Sequence, residues 1–151
     1  MIRIYTDGAA QGNPGPGGYG TILKFGKHEK ELSQGFRLTT NNRMELLAVI
    51  AGLEAIKTGG HPVMIISDSK YVVDAVEKGW LWGWEKKNFK DKKNPDLWKR
   101  FIPLFRKYKP KFQWVKGHTG HPENERCDQL AVEAANSGKL LVDVEYENLK
   151  D

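Results

Sequence analysis

Alternation and helical spacing divide the chain into a short series of elements. Ile2 and Ile4 alternate with Arg3 and Tyr5, the period-two pattern of a strand over residues 2–7. That strand ends on Asp7 and meets Gly8-Ala9-Ala10-Gln11-Gly12-Asn13-Pro14-Gly15-Pro16-Gly17-Gly18, a run that neither helix nor strand is expected to continue. Tyr19–Phe25 and Lys30–Leu38 predict two further strands joined at Gly26-Lys27-His28, an antiparallel meander. Thr39-Thr40-Asn41-Asn42 is a cluster of helix-capping residues. Leu46, Val49, Ile50, Leu53 and Ile56 follow at helical spacing and predict a helix over 42–57, stopped by Gly59-Gly60.

Val63-Met64-Ile65-Ile66-Ser67-Asp68 is nearly all apolar, as in a strand buried on both faces of a parallel arrangement. It too ends on an aspartate. Ser69 opens a helix carrying Val72, Val73 and Val76, which closes near Gly79. A basic segment follows and predicts a helix on each side of a loop at residues 91–95. Lys111–Lys116 reads as a last core strand. Pro122 opens a final helix, with Glu123 and Glu125 in its first turn, running to about Asn136 before Gly138. The order is βββαβα, more helix, then βα, with no internal repeat. Residues 1–138 read as one domain and 139–151 as a tail or an added strand. A right-handed helical crossover would return the fourth strand parallel to the first. Asp7 and Asp68 would then share one end of neighbouring strands, a topological switch point.

Composition narrows the class. The chain has 151 residues, 39% hydrophobic and 28% charged, the values of one globular domain. Its single cysteine, Cys127, excludes a disulfide framework and a cysteine-based zinc site. The first strand begins at once, so no signal peptide is expected, and no apolar run approaches the ~20 residues that span a bilayer. A cytoplasmic location is expected. The net charge of +5 is unevenly spread: residues 85–111 hold eleven Lys/Arg against three acids, and the remainder is slightly acidic. So concentrated a basic patch points to a polyanion partner.

Two aspartates held side by side repel, and a hard divalent cation bound by oxygens is the natural counter-charge. Two further acids bear on this. Glu45 falls three residues after Asn42, where a capping-box acid would sit. Asp128 lies in the second turn of the last helix, on what local pattern alone makes a solvated face. Spacing does not bring either to Asp7 and Asp68.

Thr6-Asp7-Gly8-Ala9, Gly12-Asn13-Pro14-Gly15, Thr39-Thr40-Asn41-Asn42-Arg43-Met44-Glu45-Leu46, Ser67-Asp68-Ser69-Lys70-Tyr71-Val72 and the run Trp114–Asp128 resemble, block by block and in order, bacterial type 1 ribonuclease H. The resemblance covers residues 1 to about 137. It implies an α/β fold, a ribonuclease H-like mixed five-stranded sheet of three antiparallel and two parallel strands flanked by helices. It also implies a quartet of Asp7, Glu45, Asp68 and Asp128 binding two Mg²⁺ ions, for which Mn²⁺ substitutes. The activity implied is endonucleolytic hydrolysis of the RNA strand of an RNA/DNA hybrid, leaving 5′-phosphate and 3′-hydroxyl ends. Two ions ~4 Å apart suit that reaction without a covalent intermediate. His118 matches a histidine that assists turnover, while His121 orders the loop before Pro122.

By the same resemblance Asn13, Asn41 and Asn42 sense the 2′-hydroxyl or grip nearby backbone, as amides that donate and accept can do. Thr40 matches a position contacting a DNA-strand phosphate, and Arg37 lies near enough in sequence to help. Trp80, Trp84, Lys86 and Lys87 resemble a basic handle that holds the DNA strand, with a shorter loop than in many bacterial members. Lys70 departs from the glutamine of many relatives and suits a phosphate. Ala10 stands where some relatives have a cysteine. Of Trp80, Trp82 and Trp84 at least one is expected buried, and Trp98 and Trp114 read as core. A monomer acting on a hybrid duplex is expected. A catalytically silent nucleic-acid-binding module of the same fold is the alternative. A resolvase or exonuclease fits less well with the asparagine cluster and the handle.

Overall fold

Ile2 and Ile4 lie fully buried in a strand at the middle of a six-stranded sheet, as their alternation predicts. The computed structural model describes residues 1–117 and 121–149. The strands are β1 (Ile2–Ala10), β2 (Gly15–Phe25), β3 (His28–Thr39), β4 (Val63–Ser67), β5 (Lys111–Trp114) and β6 (Leu140–Leu141), in spatial order β5-β4-β1-β2-β3-β6. The helices are α1 (Asn41–Glu54), α2 (Lys70–Glu77), α3 (Trp80–Lys86), α4 (Pro95–Tyr108), α5 (Pro122–Ala135) and α6 (Val144–Leu149). None of the described helices is long and apolar enough to cross a membrane.

The meander and the crossover form as expected. β1 pairs antiparallel with β2 and parallel with β4, and β2 pairs antiparallel with β3. Successive residues of β1 face opposite sides of the sheet. Ile2 and Ile4 pack with Leu46, Val49, Ile50 and Leu53 of α1, whereas Tyr5 packs with Ile22, Cys127 and Leu130 beneath α5. The two helices that flank the site therefore cover opposite faces.

Several expectations need correction. The sheet has six strands, not five, because β6 pairs parallel with β3 through Gly35↔Leu140 and Phe36↔Leu141. The Gln34 amide also donates to the Lys139 carbonyl at 3.1 Å. Two residues are too few for alternation to reveal a strand. The glycine-rich run does not end the strands either, since Ala9 pairs with Gly18 and Ala10 with Gly17. β5 is an edge strand of four residues in which only Phe112 is buried, not a core strand over 111–116.

Close backbone approach explains two of the glycines. A Cβ on Gly20 would lie 2.3 Å from the Cys127 carbonyl oxygen, so α5 rests directly on β2. A Cβ on Gly8 would lie 2.4 Å from the Glu45 nitrogen, so the start of α1 rests on the end of β1. The C-terminal segment is fastened by Arg43, whose side chain is 2% exposed and bonds Asp143 at 2.8 Å and Asp96 at 2.7 Å. Burial disfavours the guanidinium charge, but the two carboxylates more than offset this and raise its pKa above the usual range.

Gly20→Ala should destabilise the protein by about 1–3 kcal/mol through overpacking against α5. Urea unfolding measures this; an unchanged midpoint would contradict the close contact.

Candidate functional site

Parallel pairing of Thr6 with Ser67 leaves Asp7 and Asp68 each one residue further along, at the same end of adjacent strands. Glu45 joins them from α1. Thr40 is the N-cap of that helix, its hydroxyl accepting from the Arg43 N–H at 3.2 Å. The expected cap at Asn42 is thus corrected, and Glu45 lies too far along the helix to close a capping box. Its carboxyl instead meets Asp7 and Asp68, with one ligand oxygen from each of the three within 4.8 Å of the others. Asp7 is 3% exposed and Glu45 6%.

Burying acids together changes their chemistry. Asp7 is pushed up to about 7, first by burial and then by the Asp68 charge, although the Gly8 N–H donates to its Oδ1 at 2.9 Å. Burial, then the Asp7 and Asp68 charges, hold Glu45 well above the ordinary carboxyl range. Asp7 Oδ2 and Glu45 Oε2 are buried, and apart from a carboxyl proton shared between Asp7 and Glu45 they have no donor among the described residues. Such orphaned acceptors are costly unless something positive meets them. An all-oxygen, anionic donor set suits a hard cation such as Mg²⁺ or Mn²⁺. The residues present therefore fit a divalent metal. Asp128 is half-buried on α5 and outside the close trio, yet near enough for its charge to raise Asp7. Cys127 packs beside it with its thiol donating to the Tyr5 carbonyl at 3.2 Å, and burial pushes that thiol up, away from nucleophile chemistry.

The amide cluster is tied to the turn after β1. Asn13 Oδ1 accepts from the Asn41 N–H at 3.3 Å, and Asn41 Oδ1 accepts from the Ala10 N–H at 3.2 Å. Asn13, Thr40 and Asn42 then line a groove of about 490 Å³ together with Lys92, Lys93 and Tyr146. A second groove of about 320 Å³ runs past Trp80, Trp84, Lys87 and Lys90 and shares Lys92 with the first. The Lys92 ammonium lies 5.4 Å from the Trp84 ring centre. Lys86 is exposed on the same short helix. Lys70 lies 4.2 Å from the Trp114 ring centre, and the Trp114 N–H donates to the Asp68 carbonyl at 3.1 Å.

That last contact corrects Trp114, which is 39% exposed beside the acids and not in the core. Trp114 ends the edge strand β5, where the sheet has no further strand beside it to help cover the ring. Trp98 is fully buried as expected. Of the tryptophans on α3, none is buried: Trp80 is 49% exposed, Trp82 and Trp84 are half-covered, and Leu81 takes the buried position. A helix of seven residues makes only about two turns, and Leu81 is its one buried residue. Arg37 is engaged in a two-point pair with Glu147 at 2.9 and 2.8 Å and does not line the groove. His118 lies outside the described residues. His121 is exposed and precedes Pro122 without a side-chain cap bond. Lys92 and Lys93 were visible only as part of a basic run, and Tyr146 carried no signal at all.

A family model described as RNase H matches residues 1–136. A Ribonuclease H of Desulforamulus reducens is 57% identical over 148 residues, covering 95% of this chain and 92% of its own length. Among solved structures, LC9-RNase H1, described as a type 1 RNase H with the type 2 active-site motif, aligns with a TM-score of 0.78 at 30% identity, covering 98% of this chain and 79% of that one. LC11-RNase H1, solved in complex with RNA/DNA hybrid, aligns with a TM-score of 0.68 at 27% identity, covering 90% of this chain and 97% of that one.

Without metal, the acids should make stability depend on pH in a predictable sense. The unfolded chain releases the Asp7 proton near 3.8, whereas the folded chain keeps it up to about 7. Stability tied to this proton is intact below 3.8 and lost as pH rises through about 7. Asp7→Asn has no proton to lose. In chelator its stability should overtake that of the wild type by roughly 2–4 kcal/mol between acid and pH 8. Denaturant curves at several pH values measure the gap; one that stays constant with pH would contradict the shift.

Proposed function

The chain belongs to the ribonuclease H family and is a ribonuclease H enzyme, and from that premise we propose that it hydrolyses the RNA strand of RNA/DNA hybrids by two-metal-ion catalysis. The observation that carries this is the trio of carboxyl oxygens within 4.8 Å, two of them on acids buried almost completely. Asp7, Glu45 and Asp68 hold the cations, and Asp128 completes the set from α5. The chemistry supplied by two bound Mg²⁺ ions, or Mn²⁺ in their place, is activation of a water and stabilisation of the leaving 3′-oxygen, which gives 5′-phosphate and 3′-hydroxyl ends. The chain's own contribution is to hold four anionic side chains at one end of a rigid sheet, so that little reorganisation is left for the reaction. No thiol nucleophile competes, since Cys127 is buried and its proton tightly held.

The grooves beside the acids suit a hybrid duplex. Asn13, Asn41 and Asn42 offer amides to the 2′-hydroxyls across the shallow groove. Thr40, with Lys92 and Lys93 in the same groove, suits a DNA-strand phosphate. Trp80 and Trp84 offer stacking surfaces with Lys86 and Lys87 for further phosphates, and Lys70 presents a cation next to Asp68. His118 assists turnover by helping product or metal leave. The protein acts as a monomer in the cytoplasm.

The test uses Mg²⁺ and three end-labelled duplexes of one sequence: RNA/DNA, RNA/RNA and DNA/DNA. Cutting should be confined to the RNA of the hybrid. Asp7→Asn should abolish cutting and leave hybrid binding within a few-fold of wild type. Binding without cutting by the wild-type protein would leave a nucleic-acid-binding module in place of the enzyme's proposed chemistry. Cutting of RNA/RNA at a similar rate would remove the 2′-hydroxyl reading.

A further inference from the structure

The family model ends at residue 136, yet the chain beyond it reaches the groove beside the acids. Tyr146 of α6 forms part of that groove's wall, together with Asn13, Thr40, Lys92 and Lys93. Its place is fixed from both ends of the helix. Before it, Asp143 receives two hydrogen bonds from Arg43, each 2.8 Å, and one from the Thr39 hydroxyl at 2.7 Å. After it, Glu147 is held by Arg37 at 2.8 and 2.9 Å, and its own N–H donates to the Asp143 carbonyl at 2.9 Å. The Tyr146 ring lies 5.8 Å from the Arg43 guanidinium carbon.

The same guanidinium also holds the segment that follows the groove's lysines. Arg43 bonds Asp96 at 2.9 and 2.7 Å in the first turn of α4, just after the loop carrying Lys92 and Lys93. One buried cation thus ties together the segments that carry the groove's lysines and its tyrosine. The phenol is half-buried, and among the described residues its hydroxyl has no hydrogen-bond partner. Tyr71, by contrast, has its hydroxyl engaged by Asn94 at 3.0 Å and Trp98 at 2.9 Å. A neutral O–H donor beside two lysines matches a phosphodiester, whose oxygens accept several bonds at once.

We propose that Tyr146 is a substrate-contact residue whose hydroxyl donates to a DNA-strand phosphate of the hybrid, held in reach by the Arg43 network. This rests on the reading of the groove as a hybrid-binding surface. None of the four acids lines this groove, so the contact contributes to binding and not to the chemical step.

Steady-state cleavage of a labelled hybrid tests it with Tyr146→Phe, which keeps the ring against Arg43, and with the double variant Lys92→Ala/Lys93→Ala. Tyr146→Phe should raise KM about five- to tenfold with kcat unchanged, the pattern of lost uniform binding. The dependence of KM on salt should keep its wild-type slope, because a neutral hydroxyl displaces no counterion, whereas the double variant should raise KM and flatten that slope. An unchanged KM for Tyr146→Phe beside a raised KM for the lysine variant would overturn the role of Tyr146 alone. An unchanged KM in both would overturn the groove reading as well. A fall in kcat at constant KM for Tyr146→Phe would also overturn the proposal.

Discussion

Mutual repulsion among Asp7, Glu45 and Asp68 is the constraint that the rest of the structure answers. Acids this close and this buried are unfavourable in the bare protein, and nothing local to them would keep them together. What does so is backbone geometry. The β1–β4 ladder sets two of them at one sheet end, and the missing side chain at Gly8 lets α1 settle close enough to add the third. On the other face Gly20 does the same for α5 and so for Asp128. The core clusters on both faces supply the free energy that holds this arrangement against its own charge.

A second arrangement of charges works in the opposite sense. Arg43 sits among acids that stabilise it, and through them it joins α1, α4 and the C-terminal segment. Its backbone N–H meets the Thr40 cap, while its side chain reaches Asp96 and Asp143. The residue two positions before Glu45 thus organises the groove that lies beside the acids. Removing such a partner from a buried pair leaves an uncompensated charge, which is why it couples distant segments strongly.

Much of this was legible in the sequence where a single period dominates. The alternation of Ile2 and Ile4, the apolar run Val63–Ile66 and the helical spacing from Leu46 to Leu53 each marked an element that forms. The placing of Asp7 with Asp68 followed from topology alone. Glu45 was ambiguous because a carboxylate soon after a capping residue has a local use, and only packing against Gly8 decides otherwise. Asp128 looked like a solvated helix position; its neighbourhood is set by non-local contact with β1. Trp114 misled because an aromatic in a strand predicts burial, while its edge position exposes it. An added strand after residue 138 was one of two readings the tail allowed, but a two-residue strand has no period to decide it, and Tyr146 was invisible, since a lone tyrosine in an acidic tail has no pattern.

The central claim is that Asp7 and Glu45 are kept protonated by their burial and by the neighbouring acids until divalent cations take the protons' place. Calorimetric titration of Mg²⁺ near pH 7, in buffers of differing ionisation enthalpy, tests it most directly. Binding should release roughly one to two protons, and Glu45→Gln should reduce that number. Saturable binding with no proton release would contradict the account.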